Sequence, residues 1–93
     1  MQLDEFQALM RETYGERDRA RGIDATVAWL AEELGELAKA VRKGTREEQV
    51  HELSDLLAWT ASLADQLGLS LEEAASRYAN GCPVCNARPC ACV

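Results

Sequence analysis

A two-residue turn, Gly44-Thr45, separates two long segments with apolar residues at helical spacing, and it constrains the fold more than any other feature. The first segment is predicted to start at an Asp24 N-cap and to end in basic residues just before the glycine, as helices commonly do. Thr45 and Glu48 then match a capping box for the next helix, which is predicted to run to about Gln66. Because the connection is so short, the two helices are predicted to be antiparallel neighbours.

Two further helices are predicted to flank this hairpin. Apolar residues in the segment 3–10 recur at helical spacing and indicate a first helix, which is predicted to end before the charged run 16–21. Ser70 and Glu73 match a second capping box, and they predict a short fourth helix that ends near residues 80–81.

The composition supports an all-α fold. The chain has fifteen Ala and twelve Leu but only six Ile and Val together, and no useful stretch shows the two-residue period of a strand. We therefore predict a four-helix antiparallel bundle-type protomer over residues 1–80, followed by a Cys-rich tail over residues 81–93. Both hairpin helices are too apolar around their circumference for one partner, so we expect a homodimer or homotetramer.

The net charge of −6 argues against a nucleic acid polymer as partner, since such proteins present a basic face. No basic, apolar leader is apparent and no apolar run approaches the roughly 20 residues that span a bilayer, so we expect no membrane association. The expected location is cytoplasmic, where cysteines are reduced or bound to metal.

Acidic residues form one stripe on each hairpin helix. The stripes are Trp29, Glu33 and Glu36 on one helix, and Glu52, Asp55 and Trp59 on the other. Residues three or four apart share a helix face, and the two stripes match level by level when the helices fold back at Gly44-Thr45. Four carboxylates are thus predicted to converge, with a tryptophan from each helix just beyond them.

Converging carboxylates raise each other's pKa unless a cation compensates their charge. All-oxygen ligands suit Mg²⁺ or Mn²⁺, which also bridge to phosphate groups. The competing interpretation is a solvated acidic surface. His51, the single histidine, is interpreted as a solvated residue.

The segments Glu32-Glu33-Leu34-Gly35-Glu36 and Glu52-Leu53-Ser54-Asp55 resemble the paired motifs of the MazG-like, all-α nucleoside triphosphate pyrophosphohydrolases. The resemblance covers roughly residues 3–79. It implies Mg²⁺-dependent hydrolysis of nucleoside triphosphates, dNTPs or non-standard NTPs, to the monophosphate and pyrophosphate. It also implies Glu33, Glu36, Glu52 and Asp55 as metal ligands. Glu32 and Glu33 are the implied catalytic residues, with Glu32 as an accessory acid that orients or deprotonates water.

Four other residues are candidates for contacts with the substrate. Lys39 and Lys43 cluster toward the turn and could hold phosphates, although ordinary pairing at the surface is an equal alternative. Trp29 and Trp59 lie at the opposite end of the acidic stripes, where at least one could stack on a base. The alternative is that both tryptophans anchor the core or a subunit interface.

The tail contains four thiols, Cys82, Cys85, Cys90 and Cys92, and its first half resembles the Cys-Pro-x-Cys turn of a zinc knuckle. Four thiolates could form a structural Cys₄ zinc site. The spacer between the two pairs is shorter than in ordinary zinc ribbons, so a reduced, unstructured tail is the alternative.

Two other functions compete with the leading interpretation. A phosphoribosyl-ATP pyrophosphohydrolase of histidine synthesis would use the same metal acids, and only its substrate would differ. A non-catalytic helical interaction module with a zinc-binding tail would need neither Mg²⁺ nor the four carboxylates.

Overall fold

The computed structural model describes all 93 residues and contains helices but no strands. The helices are α1 (Leu3–Arg21), α2 (Ile23–Lys43), α3 (Arg46–Gln66) and α4 (Leu71–Ser76). This confirms the all-α class and the number of helices. None of the four combines the length and the apolar character that crossing a membrane requires.

The turn between α2 and α3 is as tight as predicted. Thr45 Oγ1 accepts a hydrogen bond of 3.2 Å from the Glu48 N–H, and Glu48 Oε1 accepts one of 3.4 Å from the Thr45 N–H, which completes the capping box. A Cβ on Gly44 would lie 2.8 Å from the Ala40 carbonyl oxygen, so the close return of the chain requires glycine. The two helices pack as an antiparallel hairpin.

The predicted boundary between the first two helices was wrong. The charged run 16–21 continues α1 instead of ending it, and Arg21 pairs with Asp18 one turn earlier, at 2.7 Å. Gly22, at φ +91°, ends α1 and is also the N-cap of α2. Asp24 therefore lies in the first turn of α2, where its charge still favours the helix dipole.

The fourth helix is shorter than predicted. It spans six residues, and residues 77–80 form turns. Ser70 Oγ accepts a 3.1 Å hydrogen bond from the Glu73 N–H, but the reciprocal half of the capping box is missing. The protomer thus has three long helices and one short one, which agrees with the prediction that the fourth helix is short.

The interior of the protomer is small and partly polar. α1 packs mainly on α3 and only lightly on α2, which leaves one side of α2 open. The buried apolar residues are Ala40, Ala61 and Ala64, and the buried polar ones include Gln7, Asp18, Thr26 and Ser62. Hydrogen bonds therefore carry much of the packing specificity, since alanine offers little apolar area.

Gln7 joins α1 to the loop before α4. Its Nε2 donates to the Leu69 carbonyl oxygen at 2.7 Å, and its Oε1 accepts from the Leu71 N–H at 2.8 Å. Near the other end of α1, Gln66 of α3 donates from Nε2 to the Asp18 carbonyl oxygen at 2.6 Å. Glutamine side chains thus hold α1 to the start of α4 at one end and to α3 at the other.

Replacing the Gln7 amide should destabilise the protomer. In Gln7→Leu the Leu69 carbonyl and the Leu71 N–H lose their partners, and we expect the free energy of unfolding to fall by about 1–3 kcal/mol. Urea denaturation at fixed chain concentration measures this. Gln2→Leu is the matched control, because Gln2 is exposed and makes no side-chain capping bond. Equal stability of the two variants would contradict the role given to Gln7.

Candidate functional site

The two tryptophans meet across the hairpin. The Trp29 and Trp59 rings stack with centroids 6.0 Å apart and planes inclined by 12°. Trp29 leaves 46% of its surface exposed, so this pair forms an edge of the hairpin and is not enclosed in a core. Trp29 and Trp59 are nearly equally distant from the turn in sequence, and the contact shows that they meet in the folded chain, as predicted.

The acidic residues of the stripes lie in one neighbourhood beside this pair. Partial burial raises the pKa of Glu33 above its ordinary value, and like-charge repulsion from nearby carboxylates raises it further. The contributing carboxylates, in decreasing order, are those of Asp55, Glu52, Glu36 and Glu32. The other three predicted ligands, and Glu32, are therefore close enough to Glu33 to raise its pKa.

The tightest part of the cluster lies on α3. Ligand atoms of His51, Glu52 and Asp55 lie within 4.8 Å of one another, and His51 Nε2 is 3.5 Å from Asp55 Oδ2. Glu33 and Glu36 are outside this tight group. The spacing of four residues between His51 and Asp55 was the available signal for this pairing.

The donor set suits a hard divalent cation. Carboxylate oxygens predominate, the one imidazole is exposed, and no thiol is present among these residues. Oxygen ligands of this kind are those preferred by Mg²⁺ and Mn²⁺. A cation there would also relieve the repulsion among the carboxylates, which no lysine or arginine ion pair offsets.

A shallow cleft of about 220 Å³ adjoins the acids on the side of the turn. Lys39 and Lys43 line it together with Glu36 and Glu52. Neither lysine forms an ion pair, so both ammonium groups remain available to an anion. The predicted cationic residues and two of the predicted metal ligands thus share one surface.

A second cleft, of about 260 Å³, lies on the opposite side, between α1 and α3. Asp55 and Trp59 line it, and α1 contributes Tyr14, Arg17 and Arg21. Sequence reasoning missed these three residues, because it ended the helix before Arg17 and Arg21 and made no prediction for Tyr14. For the two arginines the signal was the pair of opposite charges three residues apart in the run 16–21, Glu16 with Arg19 and Asp18 with Arg21, which favours a continuing helix.

Arg21 is the most constrained of these residues. Its guanidinium carbon lies 4.6 Å from the centroid of Trp59, at cation–π distance. The same side chain pairs with the buried carboxylate of Asp18 and donates to Thr26 Oγ1 at 3.4 Å. The Trp59 ring therefore contacts both the Trp29 ring and the Arg21 guanidinium.

The four cysteines of the tail form a separate cluster. Their Sγ atoms all lie within 4.8 Å of one another, and all four thiols are free. Backbone N–H groups of Cys85 and Val84 lower the pKa of the Cys82 thiol to about 6. The tail is thus ordered around its thiols, and none of them belongs to the carboxylate site.

Comparison with known proteins shows the family of the chain. The chain is similar to YvdC, an uncharacterized protein of Bacillus subtilis strain 168, with 36% identity over 90 aligned positions that cover 78% of this chain and 85% of the relative. The family model described as the MazG nucleotide pyrophosphohydrolase domain matches residues 21–81, which include both acidic stripes and both tryptophans. That match supports nucleotide pyrophosphohydrolase activity in general. The chain belongs to the MazG nucleotide pyrophosphohydrolase family.

Proposed function

We propose that the protein hydrolyses nucleoside triphosphates, either dNTPs or non-standard NTPs, to the monophosphate and pyrophosphate in a Mg²⁺-dependent reaction. The observation that carries the proposal is the cluster of carboxylates from both hairpin helices that lie close enough to Glu33 to raise its pKa. Family membership gives the general reaction class. Mn²⁺ is the alternative ion, because the same oxygen ligands suit it.

Glu33, Glu36, Glu52 and Asp55 would hold the ion. When bound, it would neutralise phosphate charge and lower the pKa of a water molecule. Glu32 or Glu33 would orient that water and accept its proton at a carboxylate oxygen. The water oxygen then bonds to the α-phosphorus as the α–β anhydride bond breaks, and pyrophosphate leaves.

In this proposal the substrate lies along the hairpin, with its phosphates in one cleft and its base in the other. Lys39 and Lys43 donate to phosphate oxygens near the turn, where the ammonium groups act as compact point charges. The base lies at the other end, in the cleft lined by Trp59 and Arg21. The acids lie between these ends, beside the anhydride bond that must break.

Removing a proposed ligand should abolish turnover without unfolding the chain. Glu36→Gln and Asp55→Asn should each lower pyrophosphate release by at least about 100-fold, since even groups that only orient metal ligands are worth about 10–100-fold. The wild type should also melt at a higher temperature with Mg²⁺, and both variants should lose that shift. The assay uses a nucleotide panel that includes phosphoribosyl-ATP.

Glu47→Gln is the matched control, because it removes one exposed acid from the same helix α3 outside the cluster. Its activity should equal that of the wild type. Full activity of Glu36→Gln and Asp55→Asn, or release from phosphoribosyl-ATP alone, would contradict the proposal. Complete indifference to Mg²⁺ together with no turnover would favour a non-catalytic interaction module.

Removing the Trp59 ring should weaken binding of the base. Stacking on an aromatic side chain is worth about 1–3 kcal/mol per base, so Trp59→Leu should raise KM by about 5- to 150-fold and reduce discrimination between bases. Steady-state kinetics on purine and pyrimidine triphosphates measure both effects. Tyr78→Leu, which removes an exposed aromatic ring outside the site, should change neither. Unchanged KM and base preference in Trp59→Leu would leave the ring as a packing residue.

Self-association is proposed as part of the functional form. Six apolar side chains remain 47–64% exposed on the hairpin: Val27, Leu34 and Val41 of α2, and Val50, Leu53 and Leu57 of α3. Each of the six comes directly after a residue that faces the other helix. One residue corresponds to a rotation of about 100° around the helix axis, and because the two helices are antiparallel, this rotation places both sets of side chains on the same side of the hairpin. A second copy of this chain, in a homodimer or homotetramer, would cover this apolar face.

A charge in the apolar face should dissociate the assembly. Leu34→Glu and Leu53→Glu should each shift the chain to a monomer, because assembly would bury an unpaired carboxylate. Size-exclusion chromatography with light scattering measures the mass. Leu9→Glu, at an exposed leucine of α1, should leave the mass unchanged. A monomeric wild type, or variants as large as the wild type, would refute the proposed interface.

A further inference from the structure

The last twelve residues, 82–93, lie immediately beyond the family match, which ends at Gly81. They contain no helix or strand. Every hydrogen bond made by these residues joins two members of the same segment, so no hydrogen bond ties it to the helices. A segment this short has no apolar core of its own, and its order needs another source.

The distances between the sulfur atoms indicate that source. Cys82 Sγ lies 3.7 Å from Cys92 Sγ, and Cys85 Sγ lies 4.0 Å from Cys90 Sγ. Zinc–sulfur bonds of about 2.3 Å in a tetrahedron place the sulfurs about 3.8 Å apart. A disulfide requires about 2.05 Å, which neither pair approaches. The four sulfur atoms are all close to one another, as ligands of a single ion must be. Two disulfides would require the sulfurs to be close only within each pair.

Backbone donors are aimed at two of the sulfurs. The Ala91 N–H donates to Cys85 Sγ at 3.3 Å, and the Cys92 N–H donates to Cys90 Sγ at 3.4 Å. Such bonds favour the thiolate form, because an ionised acceptor makes the stronger hydrogen bond. Thiolates are the form in which cysteine binds metals.

Backbone conformation closes the loop around the thiols. Asn86 has φ +59°, and its N–H donates to the Cys82 carbonyl oxygen at 2.7 Å. Gly81 has φ +99°, and a Cβ there would collide with Arg88 Cγ and lie 2.7 Å from the Ala87 carbonyl oxygen. The second half of the tail therefore folds back against Gly81, where only glycine fits.

We propose that Cys82, Cys85, Cys90 and Cys92 bind one Zn²⁺ per chain. Four protein sulfurs fill a tetrahedral zinc and leave no position for water, so the site is structural and not catalytic. The ion organises the tail as a compact knuckle at the end of the helical domain. The proposal does not depend on the proposed pyrophosphohydrolase activity, since the two sites share no residue.

Metal analysis of the full chain tests the site. The protein is produced with zinc in the medium and purified under reducing conditions without chelator, and bound metals are measured by mass spectrometry. We expect one zinc per chain in the wild type and less than one tenth of that in Cys85→Ser and Cys90→Ser. Val84→Ser, an exposed position between two ligands, is the matched control and should keep its zinc. Circular dichroism should report the same helix content in every variant, because no hydrogen bond joins residues 82–93 to the helices.

A second variant tests the fold of the knuckle while it keeps all four thiols. Gly81→Ala should weaken zinc binding at least tenfold in competition with a chromogenic chelator, because its Cβ collides with the returning segment. Gly68→Ala also introduces a side chain at positive φ, +70°, but meets nothing within 4 Å, and should bind zinc as the wild type does. Iron in place of zinc, two disulfides, no metal with reduced thiols, or full zinc in Cys85→Ser would each overturn the proposal.

Discussion

The structure depends on the antiparallel pairing of α2 and α3, which the turn at Gly44-Thr45 sets. The turn is tight, because Gly44 lies against Ala40 and the capping box starts α3 directly after Thr45. A residue inserted into α3 between the turn and Glu52 would rotate the acids of that helix by about 100° about its axis. They would then no longer face the acids of α2, so the site depends on the number of residues between the turn and each acid.

The hairpin reconciles an acidic chain with a polyanionic substrate. Residues 24–73 carry eleven acids and four bases, while the rest of the chain is close to neutral. Bare carboxylates would repel a triphosphate, and they already repel one another around Glu33. A divalent cation held by these residues would reverse the sign of the local field, so the same charges that disfavour the free site would recruit the substrate.

Little of the protomer's stability comes from a large apolar core. The buried apolar residues are alanines, and glutamine amides hold α1 to its neighbours. Several of the larger apolar side chains of the hairpin remain exposed, which is costly for a chain of this size standing alone. A second copy on the apolar face and a zinc ion in the tail would each supply stabilisation that a short chain cannot generate by itself.

The sequence by itself determined the all-α class, the hairpin, its capping box and the levels at which Trp29 meets Trp59. These depend on local rules, namely helical spacing and a turn too short to allow another arrangement. The end of α1 was misplaced, because a run of mixed charges indicates both an exposed segment and a continuing helix. Only the tertiary structure decided that Arg21 lies over Trp59, that Gln7 holds the loop before α4, and that the two cysteine pairs share one centre. The first two contacts join residues far apart in the chain, and the third depends on positive φ at Gly81 and Asn86. Neither helical period nor residue spacing specifies such arrangements, because they arise from how the segments pack and turn.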